Sequence, residues 1–171
     1  MAHPFLYPCV LFFNKVIYPL WKKGIRVRAR LFTGDPFLTI LPSGRDILLH
    51  GIKSHESEIR LTGFLLETLR PGDVFVDVGA HYGYYSVLAA GIVGSKGIVR
   101  SFEAAPDSIA MLKANTDRLS QVRITGAAVS DHTGAITFWT FPGPTAEWNT
   151  TVSDEARGGG DTTTCAVCHA R

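Results

Sequence analysis

Cysteine is scarce in this chain: Cys9, Cys165 and Cys168 are its only three in 171 residues. So few, placed so unevenly, exclude a disulfide framework and point to a reducing compartment. Charge is thin as well, at 19% of residues, and the net value of +2 excludes the strongly basic surface of a habitual nucleic-acid binder. No run of eighteen apolar residues occurs, which argues against a spanning helix. What the chain has in quantity is core material, 46% hydrophobic and 11% aromatic, so wholesale disorder is excluded too. The length is that of one compact domain.

Acidic residues are missing altogether through Gly34, where Lys15, Lys22, Lys23, Arg26, Arg28 and Arg30 stand unopposed. The remaining eleven Lys and Arg face all fifteen Asp and Glu, so the rest of the chain is at −4. Residues 1–24 are apolar and basic, with Phe5, Tyr7, Phe12, Phe13, Tyr18 and Trp21 ahead of Lys22-Lys23. A secretory signal fits poorly: no cation precedes the apolar run, Pro8 and Pro19 interrupt it, and no small-residue cleavage site follows. The favoured reading is a helix packed on its own domain in a cytoplasmic protein. Weak peripheral membrane contact is the alternative, since rings beside lysines suit a lipid interface.

Residues 25–70 read as a small β element and a lead-in helix. Residues 25–31 alternate apolar and basic with period two, 37–41 form a second short run, and Pro42-Ser43-Gly44 supplies a turn before Asp46. A helix is expected over 54–69, capped by Ser54, with Glu56 and Glu58 in its first turn. Ile59, Leu61, Phe64, Leu65 and Leu69 would form its apolar face, and Pro71-Gly72 ends it.

From there the rhythm is strand, helix, strand, helix, strand over 71–141. Val74–Val78 reads as a strand buried on both faces and interrupted only by Asp77. Helix follows over 84–90, strand over 98–102, a helix capped by Asp107, and strand over 122–128. Residues 135–141 alternate as a fourth strand, the hairpin partner of its predecessor. Residues 142–171 read as a loop-like tail rich in Pro, Gly, Thr and Asp. A βαβαβ core places the chain in the α/β class.

Chemistry concentrates where the first of these strands meets its helix, at Asp77-Val-Gly79-Ala80-His81-Tyr-Gly83. Glycines there allow a sharp turn and a close ligand approach. Glu103 ends the next strand, where a carboxylate can accept from both ribose hydroxyls of a nucleoside cofactor. Gly79-x-x-x-Gly83, followed by Tyr84 and Tyr85, departs from the G-x-G-x-x-G dinucleotide fingerprint. A sulfonium cofactor with a free amino-acid end needs less of an anion cradle than pyrophosphate does. Simple bracing is the competing role for Asp77, a surface ring for His81, a helix end for Asn115, and packing for Tyr82, Tyr84 and Tyr85. His50 and His55 read as solvated.

Three blocks, DVGAHYGYYSVLAA, GIVRSFEAAPDSIAMLKANT and ITGAAVSDHTGAITFW, resemble the core of FkbM-family methyltransferases, class I enzymes that use S-adenosylmethionine. The upstream ESEIRLTGFLLETLRPGDVFV resembles their lead-in, and the similarity covers residues 50–152. The resemblance implies a Rossmann-like class I sheet in the order 3-2-1-4-5-7-6. It implies that Asp77, Gly79, Ala80, His81 and Gly83 line the methionine and ribose part of S-adenosylmethionine. Glu103 would take the ribose hydroxyls, and Ala127, Ala128 and Val129 would lie near the adenine. His81 replaces an asparagine common in the family, and Ala104-Ala105 replaces its Glu-Pro pair. The activity implied is O-methylation of a hydroxyl on a sugar, glycan or small metabolite, with no base assigned. The competing readings are a non-catalytic cofactor-binding remnant and a nicotinamide-dependent oxidoreductase.

Against the family pattern the later sheet strands are missing, and nothing after Phe141 resembles the lysine-bearing strand expected next. A truncated chain, or a fragment complemented from elsewhere, is therefore expected, with Val74–Val78 as an unpaired hydrophobic edge. Cys165-Ala-Val-Cys168-His169 matches the C-x-x-C-H pattern of haem attachment. Only two residues follow it and no fourth zinc ligand accompanies it, so no metal site is expected.

Overall fold

The computed structural model describes residues 6–21, 23–140 and 161–169. The chain forms two compact units, Met1–Leu65 and Leu66–Arg171.

The first unit begins with a helical stretch: α1 (Leu6–Phe12), a π-helical turn (Phe13–Ile17) and α2 (Tyr18–Trp21). Val10 and Phe13 bury against Leu41 and Leu49, as expected of a helix packed on its own unit. Strands β1 (Ile25–Arg30) and β2 (Pro36–Leu41) pair antiparallel, with Val27 opposite Thr39. The residues around Asp46 form a short helix, α3 (Arg45–His50). Helix α4 (Glu56–Thr68) starts later than expected. Ser54 does not cap it, because its hydroxyl donates to Asp46. The His55 carbonyl receives the first N–H groups, from Glu58 and Ile59. Of the apolar face expected on α4, Leu65 is buried while Ile59, Leu61 and Phe64 are exposed. Among the described residues no helix is long and apolar enough to cross a membrane.

The second unit carries the βαβαβ core. Strands β3 (Val74–Val78), β4 (Ile98–Phe102) and β5 (Val122–Thr125) lie parallel in the order β3-β4-β5. Helix α5 (Tyr84–Val93) connects the first pair and α6 (Pro106–Thr116) the second. Ala89, Ala90 and Val93 of α5 pack on Val99, with Phe75 and Val122 beside them. Successive crossovers of one hand, moving in one direction across a sheet, lay both helices on the same face. Neither crossover helix therefore covers the opposite face. Val74, Val76 and Val78 are 58%, 51% and 59% exposed, so β3 is covered on one face and not, as expected, on both. Within the described sheet β3 is an edge strand.

Two further expectations need correction. The run read as one strand over 122–128 breaks at Gly126 into β5 and β6 (Ala127–Ser130), which belong to different sheets. The tail is not loop throughout: Asp161–His169 forms β8, central in a sheet ordered β6-β8-β7, with β7 at Gly134–Thr140. β8 therefore separates β6 from its expected hairpin partner. Burial alternates along β8, with Thr163, Cys165 and Val167 turned inward and Thr164 and Ala166 exposed, and Thr164 hydrogen-bonds Thr137 of β7 at 3.1 Å. Residues 142–160 of the expected tail lie outside the described residues.

Candidate functional site

The turn after β3 is built by backbone torsions that few residues accept. Gly79, His81 and Gly83 have φ of 74°, 52° and 87°. Glycine takes such angles freely, and among other residues asparagine, aspartate and histidine are enriched there. This explains the residue at 81: a position held at positive φ admits histidine in place of asparagine. Gly83 has a second reason to be glycine, because a Cβ would lie 2.5 Å from Leu112 Cδ1 of α6. Among the described residues a Cβ on Gly79 would meet nothing within 4 Å, which leaves open space over that residue for a ligand.

The turn is tied to the end of β4. Gly79 and Ala80 N–H both donate to the Phe102 carbonyl at 2.9 Å, and Gly83 N–H donates to the Ala80 carbonyl at 2.8 Å. His81 N–H donates to Glu103 Oε2 at 2.7 Å. Glu103 Oε1 accepts from Ala104 and Ala105 N–H, each at 2.9 Å. Ala105 caps α6 and Pro106 opens it, so Glu103 rather than Asp107 receives the N–H groups at this helix entrance. A carboxylate offers about four lone-pair positions. Three are used here, and one position on Oε2 remains.

Asp77 lies beneath the turn, on the helix-covered face. Ser86 Oγ donates to Asp77 Oδ2 at 2.6 Å, and the Ser86 and Ser101 hydroxyls are 2.7 Å apart. Ser86 has one hydroxyl proton, which goes to Asp77, so Ser101 donates to Ser86. All three residues are buried, and the chain of bonds locks α5 to β3 and β4. Asp77 thus has the bracing contact that competed with a ligand role. Tyr82 and Tyr84 are buried and pack, with the His81 ring stacked on Tyr82 at 3.7 Å between centroids.

Ala127, Ala128 and Val129 open β6, just past the carboxyl end of β5, and pair with Ala166, Val167 and Cys168 of β8. Glu103 N–H reaches the Thr125 carbonyl at 3.1 Å, so the ends of β3, β4 and β5 meet at one rim. A rim beyond the carboxyl ends of parallel strands is where open α/β sheets bind ligands. The core is a Rossmann-like α/β fold.

Elsewhere the sequence motifs disperse. Cys165 and Cys168 stand three residues apart in β8, and an odd spacing in a strand sends side chains to opposite faces. Cys168 Sγ instead donates to the Ala128 carbonyl at 3.4 Å. His50 and His55 are exposed. Asn115 is indeed at a helix end, but sequence reasoning missed its bond: Nδ2 donates to the Tyr82 carbonyl at 2.8 Å. The signal was available, since Ser108, Met111, Leu112, Asn115 and Thr116 follow one helical stripe and a buried amide on such a stripe needs a partner.

No described protein family matches the chain, and no curated protein does. Among solved structures, the chain is similar to TYW2 of P. horikoshii in complex with MeSAdo, at a TM-score of 0.46 and 14% identity over 74% of this chain and 50% of that one. It is also similar to a SAM-dependent O-methyltransferase from Thermotoga maritima, at 0.39 and 20% identity over 64% and 43%. A SAM dependent methyltransferase from Aquifex aeolicus gives 0.37 and 22% identity over 50% and 42%. The chain spans half or less of the length of these three structures. The α/β assignment stands on the parallel β3-β4-β5 ladder of the chain itself.

Proposed function

We propose that the rim formed by residues 79–83, Glu103 and 127–129 binds S-adenosylmethionine, and that the protein is a methyltransferase of FkbM type acting on a hydroxyl of a sugar or small metabolite. The observation that carries this reading is Glu103. Its carboxylate ends β4, is fixed by three backbone N–H groups, and keeps one acceptor position beside the open space over Gly79. A nucleoside hydroxyl fits that position. A nicotinamide dinucleotide fits less well, because four of the five N–H groups from Gly79 to Gly83 already have partners in the chain. Pyrophosphate would find them occupied.

The residues present suit the cofactor in three ways. Glu103 orients the ribose, Gly79 allows close approach, and Ala127, Ala128 and Val129 offer small apolar contacts to the adenine. When bound, the cofactor supplies a methyl group on a positively charged sulfur. Transfer would need that group held in line with an acceptor hydroxyl, and alignment is the larger part of what such a transfer requires. The acceptor proton leaves to a base that none of the residues above supplies.

Calorimetric titration of the full chain with S-adenosylhomocysteine, S-adenosylmethionine and NAD tests the reading. Saturable binding of the first two without NAD supports it. Binding of NAD alone, or of none, overturns it. Labelled-methyl transfer to hydroxylated acceptors then separates an enzyme from a binder without turnover.

A further inference from the structure

The turn that carries the candidate site is anchored twice, and the two anchors come from different elements. The first is the end of β4, which holds Gly79, Ala80 and His81 through Phe102 and Glu103. The second is α6. Its Asn115 Nδ2 donates to the Tyr82 carbonyl, while Leu112 lies directly under Gly83. We infer that Asn115 is a positioning residue for cofactor binding: from α6 it fixes the Tyr82–Gly83 peptide, and with it the shape of the cofactor turn. This inference rests on the proposed function for what the turn binds, and on the hydrogen bonds alone for how the turn is held.

The argument begins with cost. Asn115 is 2% exposed, on a helix stripe where an apolar side chain would be the ordinary choice. Thr116, its neighbour, satisfies its hydroxyl within the helix by donating to the Leu112 carbonyl at 2.8 Å. Asn115 instead reaches a residue 33 positions earlier. The peptide it reaches is held at both ends, since Gly83 N–H donates to the Ala80 carbonyl. Peptides beside glycine flip readily, because glycine accepts φ of either sign. A flip here would break both bonds, the one from Asn115 Nδ2 to the Tyr82 carbonyl and the one from Gly83 N–H to the Ala80 carbonyl, and would change the shape of the turn. Asn115 therefore opposes a flip that would reshape the turn while leaving the strands and helices in place.

Asn115→Asp is the discriminating variant. It keeps shape, but its ionised carboxylate cannot donate to a carbonyl, whereas the protonated form can. Affinity for S-adenosylhomocysteine is measured by calorimetry from pH 5 to pH 8, at a temperature where near-ultraviolet circular dichroism shows both proteins fully folded. At pH 8 the variant should bind about tenfold or more weakly than the wild type, in keeping with the loss of one buried hydrogen bond. Toward pH 5 the gap should narrow, because burial raises a carboxyl and its protonated form can donate again. Affinity equal to the wild type at every pH in the folded variant overturns the inference, since a merely structural amide would lower the unfolding temperature and leave binding by folded protein intact. If the wild type itself fails to bind, the proposed function falls. Amide exchange of His81 and Gly83 then decides the anchoring: faster exchange in the variant at pH 8 upholds it, and unchanged exchange overturns it.

Discussion

The His81 N–H donates to Glu103 Oε2 at 2.7 Å, so a side chain at the end of β4 closes the turn that follows β3. The same carboxylate also receives two N–H groups at the entrance of α6. All three partners of the Glu103 carboxylate are donors, and glutamine can offer only one oxygen to them. Glu103→Gln should therefore cost about 1–3 kcal/mol of stability, the range for an unsatisfied buried group. Denaturant unfolding measures this directly. On the proposed function the same variant loses at least tenfold in affinity for S-adenosylhomocysteine. Wild-type stability would show that the three bonds are dispensable.

One free acceptor position on Glu103 means one hydroxyl bonded, not the two that a carboxylate at this place suggests from sequence. Comparison of the 2′-deoxy and 3′-deoxy forms of S-adenosylhomocysteine should thus give an asymmetric result. One of them should lose roughly 10–100-fold in affinity, as expected for a hydrogen bond to a charged group, and the other should stay within about threefold. Equal losses from both would mean that the His81 bond yields when the ligand enters.

The βαβαβ alternation and the Gly79–Gly83 turn are legible in the sequence because both are local: strand runs, a glycine-bounded turn and helix spacing lie within a few residues. Glu103 is legible by its place after β4. What pattern cannot show is which carbonyl, carboxylate or face a group finds across the chain. The bare face of β3 depends on where both crossover helices land, and the placement of β8 between β6 and β7 depends on a strand more than twenty residues away. Asn115 looked like a helix end because its partner, Tyr82, lies far upstream.

Position 81 offers a backbone test independent of any ligand. At φ of 52° a β-branched residue is strained, glycine is not, and asparagine resembles histidine. His81→Val should destabilise by about 1–3 kcal/mol, the usual cost of a residue forced into this region. His81→Asn should stay within about 0.5 kcal/mol of the wild type, as a substitution that leaves the backbone requirement intact. Urea midpoints of the two variants measure the difference. Similar midpoints would mean that the turn relaxes away from positive φ.

In the first unit, burial raises the Asp46 carboxyl, yet the hydrogen bonds from Ser54 and Arg45 and the charge of Arg45 together bring it below its ordinary value of 3.8. A carboxyl lowered on folding adds stability above its unfolded value, and that stability disappears as pH falls through the folded one. Ser54→Ala should consequently lower the unfolding temperature near neutral pH and converge with the wild type as pH falls through the folded value. A difference that persisted in acid would assign the effect of Ser54 to packing.

Gly79 and Gly83 share positive φ but differ in what surrounds them, and this separates strain from crowding and both from binding. Alanine at either site meets the left-handed backbone penalty, about 1–2 kcal/mol. At Gly83 the new methyl must also displace Leu112 Cδ1 from 2.5 Å, so Gly83→Ala should be the more destabilising, as small-to-large changes in a packed site typically add about 1–3 kcal/mol. At Gly79 an added Cβ meets nothing within 4 Å among the described residues, so Gly79→Ala should fold with only the smaller loss. Its methyl would instead project into the open space proposed for the ligand. Gly79→Ala is thus expected to bind S-adenosylhomocysteine at least tenfold more weakly while remaining the more stable of the pair. Wild-type affinity in Gly79→Ala would move the ligand away from this turn, whatever the stabilities show.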